Sequence, residues 1–185
     1  MNAPPRHLTL AELEAGVRAL PPAPRERGTL ALILRRREDG TRETPTRVVL
    51  SCDDGVPGDA WSRLPSPRNL EMQLAVMNRD VAALIAAGQP LTTFGDNLYV
   101  DLDLSAANLP AGTRLRVGAA LVEVTPHPHN GCSKFNARFG NDALRLVQRT
   151  ETRSHNYRGV YWRVIEAGEV AVGDAIEVVA RGLPR

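Results

Sequence analysis

Helical periodicity marks the beginning of the chain. After Thr9, residues Leu10, Leu13, Val17 and Leu20 recur at the spacing of one helix face, and Thr9-Leu-Ala-Glu12 has the form of a capping box. Pro21-Pro22 stops that helix, so residues 1–28 are expected to form a helical arm and a charged linker ending at Gly28. The same period through Leu74, Met77, Val81, Leu84 and Ile85 predicts a longer helix over Leu70–Ala87, capped by Asn69 and stopped by Gly88 and Pro90. Asp142–Gln148 predicts a short third helix. Elsewhere the pattern changes to short β-branched and aliphatic runs. Thr29–Leu34 and Arg47–Cys52, on either side of the polar stretch 36–46, read as a pair of strands. Further strands are predicted at Asn97–Leu102, Arg114–Val117, Ala120–Thr125, Val160–Ile165 and Ala175–Val179, while 53–67 is loop-like, rich in Asp, Gly and Pro. Many short strands with few helices predict a mainly β fold (α+β), a barrel or closed sheet over residues 29–185, rather than a doubly wound α/β sheet.

Composition narrows the function classes. With 185 residues, 43% of them apolar and 24% charged, the chain has enough material for one domain with a real core, and wholesale disorder is excluded. A net charge of +2 with interspersed signs argues against a nucleic-acid-coating protein. No apolar run approaches the roughly 18 residues of a membrane span, and the N-terminus lacks the apolar stretch of a signal peptide. Cys52 and Cys132 lie too far apart for a zinc pair or a disulfide scaffold, so a cytoplasmic protein with reduced thiols is expected. Cys52, at a strand end, is expected to be a buried structural residue. All but one of the 23 basic side chains are Arg, an excess read as compositional. The exception, Lys134, is the sole candidate for Schiff-base chemistry.

Chemistry concentrates in residues 127–163, which hold three of the four histidines (His127, His129, His155), five of the eight aromatics, Cys132 and Lys134. Gly131 permits a tight turn or close approach of a ligand beside the sulfur. Lys134 and Arg138, with His129 if charged, would favour the thiolate, the form needed for nucleophilic attack, persulfide formation or binding of a soft metal. Neither a Gly-x-Ser-x-Gly nor a Cys-x-x-Cys pattern is present.

The order of motifs resembles that of the MOSC domain, the module named after the C-terminal part of molybdenum cofactor sulfurase. Gly58-Asp59 resembles an early Gly-Asp turn of the family, and Phe94-Gly95-Asp96-Asn97-Leu98 resembles its Gly-Glu-Asn-Leu motif. Leu115–Gly118 and Leu121–Val124 resemble the paired strands before the cysteine, Gly131-Cys132-Ser-Lys134-Phe135 and Arg138-Phe-Gly140 its signature region, and Arg158–Val164 with Gly168–Asp174 its closing strands. The resemblance implies a mainly β barrel with Cys132 at the mouth of a pocket. There the thiol would ligate molybdenum held by a pterin cofactor or carry sulfur as a persulfide. Reduction of N-hydroxylated compounds, known for some members, would follow, with an electron-donor or sulfur-donor protein as partner and no nucleic acid or membrane.

On this resemblance Cys132 and His129 are the expected catalytic residues and Cys132 the metal ligand. Lys134 and Arg138 are expected to bind a phosphate or similar anion, and Asn97 and Asn130 to bind pterin edges or to cap turns. His129 would act as a base towards Cys132 or dock on an aromatic. Arg158 and Tyr161 complete the cofactor-binding set, with Trp162 on the opposite strand face from Tyr161. Pyridoxal phosphate is not expected, because the fused sulfurases carry it on a different domain. One departure from the family stands out: Ala60-Trp-Ser-Arg-Leu-Pro-Ser-Pro-Arg follows Gly58-Asp59 where many members are rich in His and Gly. Trp61 with Arg63 or Arg68 would replace those polar groups, or the segment is an ordinary loop. Two other readings stay open: a cofactor-independent thiol enzyme using Cys132 and His129, and a non-enzymatic binding module with an inert cysteine.

Overall fold

The structure, a computed structural model, describes residues 6–183. Eleven strands are present among them: β1 (Arg27–Ile33), β2 (Arg35–Arg36), β3 (Arg42–Glu43), β4 (Arg47–Leu50), β5 (Leu74–Asn78), β6 (Leu98–Asp101), β7 (Arg114–Val117), β8 (Ala120–Val124), β9 (Val160–Glu166), β10 (Gly168–Ala171) and β11 (Ala175–Ala180). The helices are α1 (Leu10–Ala19), α2 (Arg79–Ala86), α3 (Ser133–Phe139), α4 (Asn141–Gln148) and α5 (Thr150–Arg153). Seven strands close a barrel in the order β1-β11-β7-β8-β9-β5-β6, with β6 returning to β1. Only β5 and β6 run parallel, and α2 lies in the crossover that a parallel pair requires. The expected mainly β, α+β barrel is the observed one.

Two apolar clusters divide the molecule. Alternate residues of the barrel strands, among them Val76, Leu98, Val100, Leu115, Val122 and Trp162, fill the barrel interior. The residues between them on β5 and β6, Met77 and Tyr99, point outward into a second cluster with Leu13 of α1, Val81 and Ile85 of α2, Phe135 and Phe139 of α3, and Leu146 of α4. This strand, covered on both faces, explains one failed expectation. Leu70–Ala87 is not a single helix: Leu70–Met72 is one 3₁₀ turn, Leu74–Asn78 is β5, and only Arg79–Ala86 is α-helical. A strand buried on both faces shows a continuous apolar run, which periodicity cannot separate from a buried helix. Asn78 is the true cap of α2, its Oδ1 accepting from the backbone N–H groups of Asp80 and Val81 at 3.0 Å each. Asn69 caps only the short turn.

The expected pairing of Thr29–Leu34 with Arg47–Cys52 is also incorrect. β1 is held on one side by β11 and on the other by β6, so it has no edge for β4, which pairs with β10. The stretch between them instead folds back on itself as the small β2–β3 hairpin. The Thr9 capping box forms as expected, and α1 ends before Pro21. Cys52 is a further correction. β4 ends at Leu50, and Cys52 falls in the turn closed by Ser51 and Gly55, where it is exposed rather than buried.

Candidate functional site

One cleft of about 710 Å³ opens where the β2–β3 hairpin, the loop after Gly58, the Phe94–Asn97 segment, the loop 127–132, α3 and the start of β9 meet. Cys132, His129, Lys134, Arg138, Asn97, Asn130, Arg158 and Tyr161 all line it, although they are drawn from three separated stretches of chain. Cys132 occupies the position before the first turn of α3 and is exposed. This seven-residue helix was not expected from the sequence. Its signal is the pair Phe135 and Phe139, one turn apart and both buried, which anchors it on the barrel's outer face.

A buried polar cluster forms part of the cleft wall. Asp96 accepts two hydrogen bonds from Arg158 Nη1, at 2.8 and 2.9 Å, and lies 3.5 Å from His129 Nε2. The His129 ring packs on Tyr161, with centroids 4.3 Å apart. Burial, reinforced by the neighbouring Arg158 charge, holds the His129 pKa down to about 3 against the opposing pull of Asp96. His129 is therefore neutral near pH 7 and adds no positive charge beside the sulfur. The Asp96 carboxylate facing Nε2 favours the tautomer protonated there, and Nδ1 is buried with no hydrogen-bond partner among the described residues. The ring is docked on an aromatic, one of the two roles expected for His129. Burial likewise raises the Tyr161 pKa, so its phenol is protonated at neutral pH. Trp162 points the other way, into the barrel, as strand alternation requires.

The chain leaves little latitude here. Gly159, at φ +99°, precedes β9, and a Cβ there would lie 2.1 Å from the Val76 carbonyl oxygen and 3.3 Å from His129 Nδ1. Asn97 is nearly fully buried and its side chain holds the framework: Oδ1 accepts from Ala75 N at 3.1 Å and Nδ2 donates to Leu34 O at 3.5 Å. Its amide thus fastens β5 to the end of β1, and the neighbouring Asp96 organises the cleft.

Several lining groups were not singled out from the sequence. Arg36 and Arg42 of the hairpin face the cleft, so two members of the arginine excess line it. Arg36 is clamped by Asp59, whose Oδ1 also accepts from Arg36 N at 2.7 Å and whose Oδ2 accepts from Trp61 N at 3.0 Å. Burial opposes the charge on Asp59, yet the bonds and ion pair with Arg36 hold its carboxyl below the ordinary range. This is the structural use of the Gly58-Asp59 turn. In the divergent loop, Trp61 lines the cleft, but Arg63 and Arg68 turn away from it. Arg63 donates to Gly58 O and Arg36 O at 2.6 and 3.2 Å. Arg68 binds Asp54 and the carbonyls of Ser62 and Asp53, its guanidinium 4.9 Å above the Trp61 ring.

The charges do not cancel. Arg36 and Arg158 have carboxylate partners in Asp59 and Asp96. Arg42, Lys134 and Arg138 have no carboxylate within ion-pair distance among the described residues; Arg138 donates to Phe94 O at 3.1 Å. Partial burial and, next, the charge of Arg138 depress the Arg42 pKa, as expected of cations gathered without counter-charge. Such a group favours an anionic ligand. No three His, Cys, Asp or Glu side chains converge to hold a metal ion among the described residues.

A family model for the MOSC domain matches residues 70–177. The chain belongs to the MOSC domain family. The matched region runs from the turn before β5 into β11 and contains every expected site residue. The uncharacterized protein YflK of Bacillus subtilis (strain 168) is 37% identical over 90 residues, covering 48% of this chain but only 38% of that protein. Among solved structures, YuaD from Bacillus subtilis aligns with a TM-score of 0.62 at 16% identity, over 84% of this chain and 97% of its own. YiiM from Escherichia coli aligns at 0.54 and 23% identity, over 82% of this chain and 70% of its own. At these identities the structural neighbours attest the MOSC barrel itself. No helix among the described residues is long and apolar enough to cross a membrane.

Proposed function

We propose that this MOSC-domain protein binds molybdenum through a pterin cofactor in the cleft, with Cys132 as the protein's ligand to the metal or as the carrier of a persulfide sulfur. The observation that carries this reading is an exposed thiol opening onto a cleft with three cations, Arg42, Lys134 and Arg138, that lack carboxylate partners among the described residues. Lys134, Arg138 and Arg42 suit the phosphate of such a cofactor, Lys as a point charge and Arg by bidentate contact. A metal at Cys132 would take one soft thiolate from the protein and its remaining ligands from the cofactor. Asn130, Arg158 and Tyr161 offer polar contacts along the same wall, and the Tyr161 phenol, kept protonated by burial, is a hydrogen-bond donor there.

When bound, the cofactor would supply two-electron chemistry suited to reducing N-hydroxylated compounds, with an electron- or sulfur-donor protein as partner. The chain's own contribution is to hold the anion, present the thiol and keep His129 neutral beside Arg158. A pKa held to about 3 makes His129 a weak base, and its Nε2 faces Asp96; both count against the cofactor-independent Cys132/His129 enzyme, which needs a base able to take the thiol proton. The test is metal, pterin and sulfane-sulfur analysis of protein purified from a host that makes the cofactor. Wild type is expected to carry molybdenum or sulfane sulfur, and Cys132→Ser to lose at least tenfold of it, in line with removal of a first ligand. Equal loading of the two proteins would refute the proposal.

A further inference from the structure

The N-terminal segment lies outside the region matched by the family model, yet it grips the helix that carries two of the cleft's cations, Lys134 and Arg138. The carbonyls in the last turn of a helix lack intrahelical partners. In α3, the Arg138 carbonyl receives two side chains: His7 Nε2 at 3.1 Å and Gln89 Nε2 at 3.0 Å. Against an acceptor, the His7 nitrogen must be the N–H donor. The seat for the His7 ring is Gly140, at φ +89°, where a Cβ would stand 2.9 to 3.0 Å from the ring atoms. Beyond His7 the segment continues its attachment. Leu10 N donates to Asp142 Oδ2 at 3.1 Å, Glu14 pairs with Arg149, and Leu13 is buried in the cluster that includes Phe135 and Phe139.

These contacts fall into two kinds. Leu10, Leu13 and Glu14 fasten α1 to the molecule, whereas His7 touches the backbone of a residue whose side chain lines the cleft. The Arg138 guanidinium is also held, through Nη1 to Phe94 O, so both ends of this residue are fixed. We infer that His7, with Gln89, is a positioning residue for the cleft: by clamping the end of α3 it sets where Arg138 and Lys134 stand relative to an anionic ligand. The inference rests on the anion-binding reading of the cleft and assigns the N-terminal segment a role in it.

The test uses the full chain and inorganic phosphate as the probe, with affinity measured by calorimetry and amide hydrogen exchange followed at residues 136–140. His7→Ala is expected to weaken phosphate binding about fivefold, the equivalent of one net hydrogen bond, and to speed exchange at 136–140. His7→Gln, which keeps a side-chain N–H donor, is expected to recover most of both. Glu14→Gln loosens α1 without touching Arg138 and is expected to leave both readouts at wild-type values. Unchanged affinity and exchange in His7→Ala would overturn the inference, as would an equal loss in Glu14→Gln, which would reduce the segment to general support. If wild type binds no phosphate, the anion reading fails, and exchange alone then decides: faster exchange confined to His7→Ala upholds the clamp, and unchanged exchange overturns it.

Discussion

The barrel interior and the cleft beside it are built on opposite terms. The interior is filled by apolar side chains on alternate residues of consecutive strands, and most of its members need only the right size and face. The cleft gathers charges from the hairpin, the loops, α3 and the turn before β9; two of them have particular partners, Asp59 for Arg36 and Asp96 for Arg158, and Arg42, Lys134 and Arg138 have no carboxylate partner among the described residues. Apolar burial is concentrated in the first region and charge in the second, and the two meet along β9, where Trp162 faces the interior and its neighbour Tyr161 faces the cleft.

The sharpest way to break this division is to empty the interior. Trp162→Ala removes the largest fully buried side chain and is expected to cost about 3–5 kcal/mol of unfolding free energy in denaturant titration. If it costs less than about 1 kcal/mol, the barrel is not the stabilising half.

An effect that is smaller per pH unit, and that builds up only as the pH falls, tests the buried cluster that lines the cleft. His129 has a folded-state pKa far below 6.5, so between about 6.5 and 3 the unfolded chain binds the proton that the folded chain refuses. Its contribution is present above pH 6.5 and is lost as the pH falls through that window, at up to about 1.4 kcal/mol per pH unit. The groups that set it are Arg158, Asp96, Arg36 and His127. His129→Gln is expected to flatten the acid limb of the stability profile, and an unchanged limb would show that His129 is not held neutral.

The smallest expected effect on stability lies at the cleft's free cations. Lys134→Arg keeps the charge on an exposed position and is expected to change stability by less than about 0.5 kcal/mol. If Lys134 acts as a point charge, the same change alters phosphate affinity severalfold through its different shape. A large stability loss from this variant would place Lys134 with the framework rather than with the ligand.

The same division governs what could be read from the residues alone. β7, β8, β9 and β11 were legible because one face of each is more buried than the other, or because turns bound them closely. β5 was not, since Leu74 to Met77 are all buried and the period of two vanishes. The pairing of β1 was hidden because its partners lie far along the chain, and no local pattern records them. In the cleft, Cys132, Lys134 and Arg138 were legible as a dense local cluster. Arg36 and Arg42 were not, because charges on a hairpin carry no period and one arginine in an arginine-rich chain resembles another. The role of Asp96 emerged only when folding brought Arg158 and His129 to it.

Closure of the barrel has a consequence for how the chain folds. Thr29 is paired with Ala175 across one seam and with Asp101 across the other, so β1 acquires its second neighbour only after nearly all of the sequence between them has been made. During synthesis one edge of β1 stays open while β6, β7, β8 and β9 emerge, and the loop that must close is almost as long as the domain. Closing so long a loop precedes the contacts that reward it. The β1–β11 seam therefore forms late, and until it does the open strand edge is where the nascent chain is most exposed to misassociation.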